Sequence, residues 1–194
     1  MTSDRYDWLL KEYEQMFNEK RHYDGRFFSL LSFFMAFVTI CVSVVVGVND
    51  IIKDTSVSIF PVFFCMVGAV GFIILVNMYY SRVNYVKVCR QINSIRQFCL
   101  VNQIPSFERE NKMYLNPEFP HFYMLNSMHL IVMHFLVLIN SFFIGLSFLF
   151  ITEFRLWNAA VSIIIFLLLS SVQTLVLRSS LKKRDIQETL TTRF

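Results

Sequence analysis

Residues 27–48 read FFSLLSFFMAFVTICVSVVVGV, a run of 22 residues with no Asp, Glu, Lys or Arg. Crossing a bilayer core of about 30 Å takes about 20 helical residues. A run this long and uncharged leaves its backbone groups no partner in lipid except one another, so it predicts a membrane-spanning helix. Three more such runs follow: Ile59–Tyr80, Met128–Ile151 and Trp157–Leu177. Tyr79 and Tyr80 close the second and Trp157 opens the fourth, which suits aromatic anchoring at headgroup level. Ser58 and Pro61 fit a helix start for the second.

The whole chain agrees. Of 194 residues, 55% are hydrophobic and only 16% charged, against about 25% charged in an ordinary soluble domain. Mean hydropathy is +0.51, and the apolar residues come in blocks. The fold class expected is an all-α membrane protein with four transmembrane helices and helical cytoplasmic extensions. The polar start, Met1 to Arg26, does not resemble a secretory signal. The first span is therefore expected to remain as a signal-anchor.

Basic residues orient the spans. The connections near 49–58 and 152–156 hold only Lys53 and Arg155. Every other Lys and Arg lies in the N-terminal segment, in 81–127 or after the last span. The positive-inside bias then places both chain ends and the middle segment in the cytoplasm, with the inner (plasma) membrane as the multi-pass location. The organisation expected is 1–26, a cytoplasmic amphipathic helix; 27–80, a first transmembrane hairpin; 81–127, a cytoplasmic helix and loop; 128–177, a second hairpin; and 178–194, a cytoplasmic tail.

The cytoplasmic sequence is helical in pattern. Tyr6, Leu10, Tyr13 and Phe17 form one apolar stripe before the first span, with Gly25 a candidate hinge. Tyr85, Val88, Ile92, Ile95 and Cys99 form a heptad-like stripe after the second. With Pro61 in its first turn and no later Pro before Pro105, the second span is expected to continue to Gln103. That would project it about 35 Å beyond Tyr80, antiparallel to the N-terminal helix. Segment 105–127, with Pro105, Pro117 and Pro120, reads as a loop folded back on this stalk or on the membrane. The tail from Leu181 is expected to be polar, and helical to about Thr189.

Chemistry is sparse. No nucleophile elbow, P-loop, HExxH or GxGxxG occurs, so no catalytic residue, cofactor or metal site is assigned. The four Cys lack CxxC spacing and read as reduced apolar side chains. His129 and His134 are five apart, off the one-face spacing of a helical ligand pair, and read as structural. Gly68 and Gly71 are three apart and do not make GxxxG. Candidate pore-lining groups are Ser32, Thr39 and Ser43 of the first span and Asn140 and Ser147 of the third. Such residues also serve ordinary helix–helix contacts.

The cytoplasmic segments hold 16 Lys and Arg against 11 Asp and Glu. Lys87, Arg90, Arg96, Arg109 and Lys112 are the candidate binders of an anionic ligand, a nucleotide or single-stranded oligonucleotide signal. A solvated basic face is the plainer reading.

The entry Arg5-Tyr6-Asp7-Trp8-Leu9-Leu10-Lys11-Glu12-Tyr13 and the stalk run Val88-Cys89-Arg90-Gln91-Ile92-Asn93-Ser94-Ile95-Arg96-Gln97-Phe98 sit in a layout that resembles the small four-span membrane effectors of bacterial anti-phage defence. The membrane components of the Kiwa and Hailong systems are similar in outline. The resemblance implies a homo-oligomeric, channel-like effector, gated through its cytoplasmic helices by a ligand or a cytoplasmic protein partner. The alternative is a non-conducting scaffold or sensor that recruits a cytoplasmic defence enzyme. It transfers no site residue.

Overall fold

In the computed structural model, residues 3–49, 60–101, 116–151 and 156–191 are described. They form four α-helices: α1 (Ser3–Asn49), α2 (Phe60–Val101), α3 (Met128–Ile151) and α4 (Leu156–Thr191). Among the described residues there is no strand. Each helix includes a stretch long and apolar enough to cross a membrane. The chain is an all-α, multi-pass membrane protein.

Three helices exceed what a bilayer needs. α1 has 47 residues, α2 has 42 and α4 has 36, against about 20 for a crossing. Pro61, at the second position of α2, sits where its missing N–H costs no hydrogen bond. No proline interrupts the rest. α1 passes through Gly25 unbroken, and a Cβ there would meet nothing within 4 Å. α3 begins where the Ser127 carbonyl accepts from the Leu130 and Ile131 amides. α4 runs to Thr191, slightly past the expected Thr189. Ser58 and Pro105 lie outside the described residues, as does any helix beyond Val101.

The chain divides into two compact units. A polar unit comprises Met1–Phe27, Tyr80–Met124 and Ser180–Phe194; an apolar unit comprises Phe28–Tyr79 and Leu125–Ser179. α1, α2 and α4 each contribute residues to both.

In the polar unit the α2 stripe is buried as patterned. Val88, Ile92, Ile95 and Cys99 form a core with Met16, flanked by Leu9, Tyr13, Phe17 and Tyr23. The two helices run antiparallel: Ser81 Oγ donates to the Tyr23 carbonyl (3.0 Å), Lys20 lies over the Tyr85 ring, and Arg96 reaches Tyr13. The stripe expected on α1 needs correcting. Leu10 is 47% exposed, whereas Tyr13 and Phe17 of the expected stripe do pack on the core, joined by Leu9, Met16 and Tyr23. The face turns because Met16 and Leu9, not Leu10, meet the α2 stripe. Tyr85 is half-buried and outside the core cluster.

In the apolar unit α3 is central. Some 56% of its apolar window is buried, against 33% for α2 and 11% each for α1 and α4. Phe64 stacks on Phe143 (5.8 Å between centroids) and meets Phe150 (5.4 Å). Gly68 packs toward Ile144, and Gly145 toward the Ser162 carbonyl and Phe166. Small residues thus allow close helix approach without the GxxxG spacing.

Ile92→Ala should cost about 2–4 kcal/mol through loss of core contact, whereas Leu10→Ala should change stability by less than about 0.5 kcal/mol. Denaturant unfolding of both variants in detergent checks the corrected stripe.

Candidate functional site

The α2 extension has two buried faces. The first carries the apolar stripe. The second carries Arg82, Arg90 and Asn93, the outer two eleven residues apart, close to three whole helical turns. These side chains hold segment 116–122. Asn93 Nδ2 donates to the carbonyls of Asn116 (3.2 Å) and Phe119 (2.8 Å). Arg90 Nε donates to the Pro120 carbonyl (3.1 Å). Arg82 donates to the carbonyls of His121 (3.1 Å) and Phe122 (3.5 Å). Loop carbonyls without a strand or helix partner need donors when buried, and α2 provides them. Segment 116–122 is folded onto the stalk, with Phe119–Pro120 in cis; residues 105–115 of the expected loop lie outside the described residues.

The tail of α4 completes the network. Arg90 offers Nη1 to Glu188 (3.1 Å) and Nη2 to Asp185, while its guanidinium lies 4.6 Å from the Phe122 ring centroid. Lys87 Nζ is 3.6 Å from Glu188. Asp185 Oδ1 also accepts from the Phe122 amide (3.2 Å) and lies 3.7 Å from His121 Nδ1. Arg90 thus joins three elements, because its planar fork supplies donors in several fixed directions.

Burial tunes the groups around it. Arg82 is only 2% exposed. Desolvation lowers its pKa, opposed by Tyr85, Cys89 and Asp185, yet an arginine stays charged in a protein. Burial likewise raises the Tyr85 hydroxyl and the Cys89 thiol above their ordinary values. Neither is an activated nucleophile, since the reactive form of a thiol is its thiolate.

The basic candidates therefore separate. Lys87 and Arg90 come together, facing Asp185 and Glu188. Arg96 lies on the α1 side, its Nε donating to Tyr13 Oη (2.7 Å) and its guanidinium over the Tyr13 and Phe17 rings. Arg109 and Lys112 lie outside the described residues. Sequence reasoning missed Asp185 and Glu188 as partners. Their three-residue spacing repeats that of Lys87 and Arg90, and this was the available signal. The roles of Arg82 and Asn93 had none, because their acceptors are backbone carbonyls.

The pore candidates separate too. Ser32, Thr39 and Ser43 lie on an exposed face of α1. Thr39 Oγ1 donates back to the Met35 carbonyl (2.9 Å), and Ser43 Oγ to that of Thr39 (2.8 Å). Asn140 and Ser147 are buried on one face of α3. Ser147 Oγ donates to the Pro61 carbonyl (2.7 Å). Asn140 packs on Gly71 of α2: a Cβ built at Gly71 would overlap Asn140 Oδ1 and lie 2.7 Å from its Cγ. Among the described residues no group of three or more His, Cys, Asp or Glu could hold a metal.

Arg90→Glu should free the tail of α4 from α2, which limited proteolysis would register as faster cleavage after Ser180. Adding Asp185→Arg and Glu188→Arg should restore part of the protection, because the Arg90 ion pairs are re-formed with reversed sign while Lys87, the Pro120 carbonyl and the Phe122 amide lose their partners. Unchanged cleavage in Arg90→Glu would show that the ion pairs do not hold the tail.

No protein-family model matches this chain, and neither the curated proteins nor the solved structures include one that matches it.

Proposed function

We propose that the chain is a homo-oligomeric, channel-like effector of the inner membrane, gated by a ligand or partner acting on helical extensions in the cytoplasm. The setting in bacterial antiviral defence rests on a resemblance in layout to four-span defence effectors. One observation carries the mechanism. α1, α2 and α4 each run without a break from residues of the polar unit into residues of the apolar unit. A continuous helix does not absorb displacement as a loop does, so releasing the Arg90 network would move the spans themselves. The spread of Lys and Arg supports a cytoplasmic side for the polar unit.

Lys87 and Arg90 are the part of this network that an anionic signal would contest, since Asp185 and Glu188 already occupy them as tethered anions. The exposed face of α1 with Ser32, Thr39 and Ser43 would line a shared path only in an oligomer, because it is turned outward in the single chain. A path lined by hydroxyls and apolar groups would gate by dewetting.

A second reading is a non-conducting scaffold that recruits a cytoplasmic defence enzyme. Trp8 and Phe98, 64% and 53% exposed on the polar unit, favour it, because a large exposed aromatic suits a protein contact.

Membrane potential separates the two. Arg90→Glu expressed in bacteria should depolarise the membrane without any activating partner, and the triple charge swap should do so less. Depolarisation by neither variant, with the protein present in the membrane, would favour the scaffold. Reporter fusions at both termini should read cytoplasmic, and a cysteine introduced at Lys53 should react with an impermeant thiol reagent from outside.

A further inference from the structure

Asn140 is fully buried, and neither its Oδ1 nor its Nδ2 has a hydrogen-bond partner among the described residues. An amide side chain has four such capacities, and one that goes unmatched in an apolar interior is costly. The surroundings leave no slack. Gly71 of α2 presses against the amide, and a Cβ there would lie 2.9 Å from Phe34 Cε2 of α1. Oδ1 lies along the direction a Gly71 Cβ would take, the geometry of a weak Cα–H···O contact. Phe34, itself fully buried, closes the joint. The helix that supplies it is thinly held: among residues 28–47 of α1, only Phe34 and Cys41 are buried.

We propose that Asn140 is an intramembrane water-binding site and that Phe34 is the stopper controlling access to it. Withdrawal of α1 by about one side chain's depth uncovers the amide, which water then solvates. Hydration stabilises the separated arrangement of α1, α2 and α3 relative to the packed one. The joint is thereby poised near balance, with apolar packing of Phe34 on one side and amide solvation on the other. This goes beyond the gating reading above and rests only on the apolar unit lying in lipid.

Melting in lipid nanodiscs tests it. Asn140→Leu keeps the branching and removes the unmatched amide, so its Tm should rise by about 3 °C. Phe34→Ala should lower Tm less in the wild-type chain, where the uncovered amide gains water, than in the Asn140→Leu background, where it gains nothing. A lower Tm for Asn140→Leu, or equal losses for Phe34→Ala in both backgrounds, would overturn the proposal. Should Asn140→Leu fail to fold, Gly71→Ala serves instead. It should lower Tm strongly alone and less together with Asn140→Ala, which removes the overlap with the amide but leaves the 2.9 Å approach to Phe34 Cε2; absence of any rescue counts against the joint. Dye release from liposomes is scored apart from melting. If Phe34→Ala shows the expected melting pattern without dye release, the water site stands, since it does not depend on the channel reading.

Discussion

Arg90 bonds to the Pro120 carbonyl, to Asp185 and to Glu188, and lies over Phe122. The loop and the α4 tail of the polar unit depend on this convergence. α1 needs no such help, since the Val88–Ile92–Ile95–Cys99 stripe gives it an apolar seat. The loop 116–122 and the tail of α4 each bury an apolar anchor, Phe122 and Leu181, beside their polar contacts. They are held by charge and by hydrogen bonds to buried carbonyls. The guanidinium suits this task because its donors are coplanar and its charge is permanent. A half-buried ion-pair network is also strongly conditional, because removing one partner leaves the others desolvated and unpaired.

The apolar unit follows the opposite logic. In lipid, helices gain nothing from burying one apolar surface against another, so association relies on close packing and on small residues. Gly68 and Gly71 of α2 face α3, and Gly145 faces Ser162 and Phe166. α1 and α4 are lightly held in it. Helices with so little packing are the ones a force applied elsewhere along their length moves most easily.

Much of this was legible beforehand. The four spans follow from uncharged runs of more than 20 residues, a signal that lipid makes nearly unambiguous. The α2 extension and its stripe follow from heptad spacing without an intervening proline. The α1 stripe was displaced, because Leu9 and Leu10 are equally apolar and only the partner decides between them. Lys87 and Arg90 were singled out for their charge, but what they bind was not visible. A residue's electrostatic partner across about a hundred positions is set by tertiary approach, and only the matching spacing of Asp185 and Glu188 hinted at it. The closeness of Gly71 to Asn140 was also hidden, because a spacing of three residues fits no named packing motif.

The central claim is that the α4 tail must leave α2 for the spans to open. The direct measurement is dye flux from liposomes holding the Arg90→Glu protein with Lys87→Cys and Glu188→Cys, its native cysteines replaced, before and after joining the two new cysteines with a short bis-maleimide. These side chains approach to 3.6 Å in the wild-type pair, so a short linker spans them. The account predicts flux before crosslinking and its loss afterwards, with the uncrosslinkable single-cysteine controls unaffected. Equal flux in the crosslinked protein would contradict it.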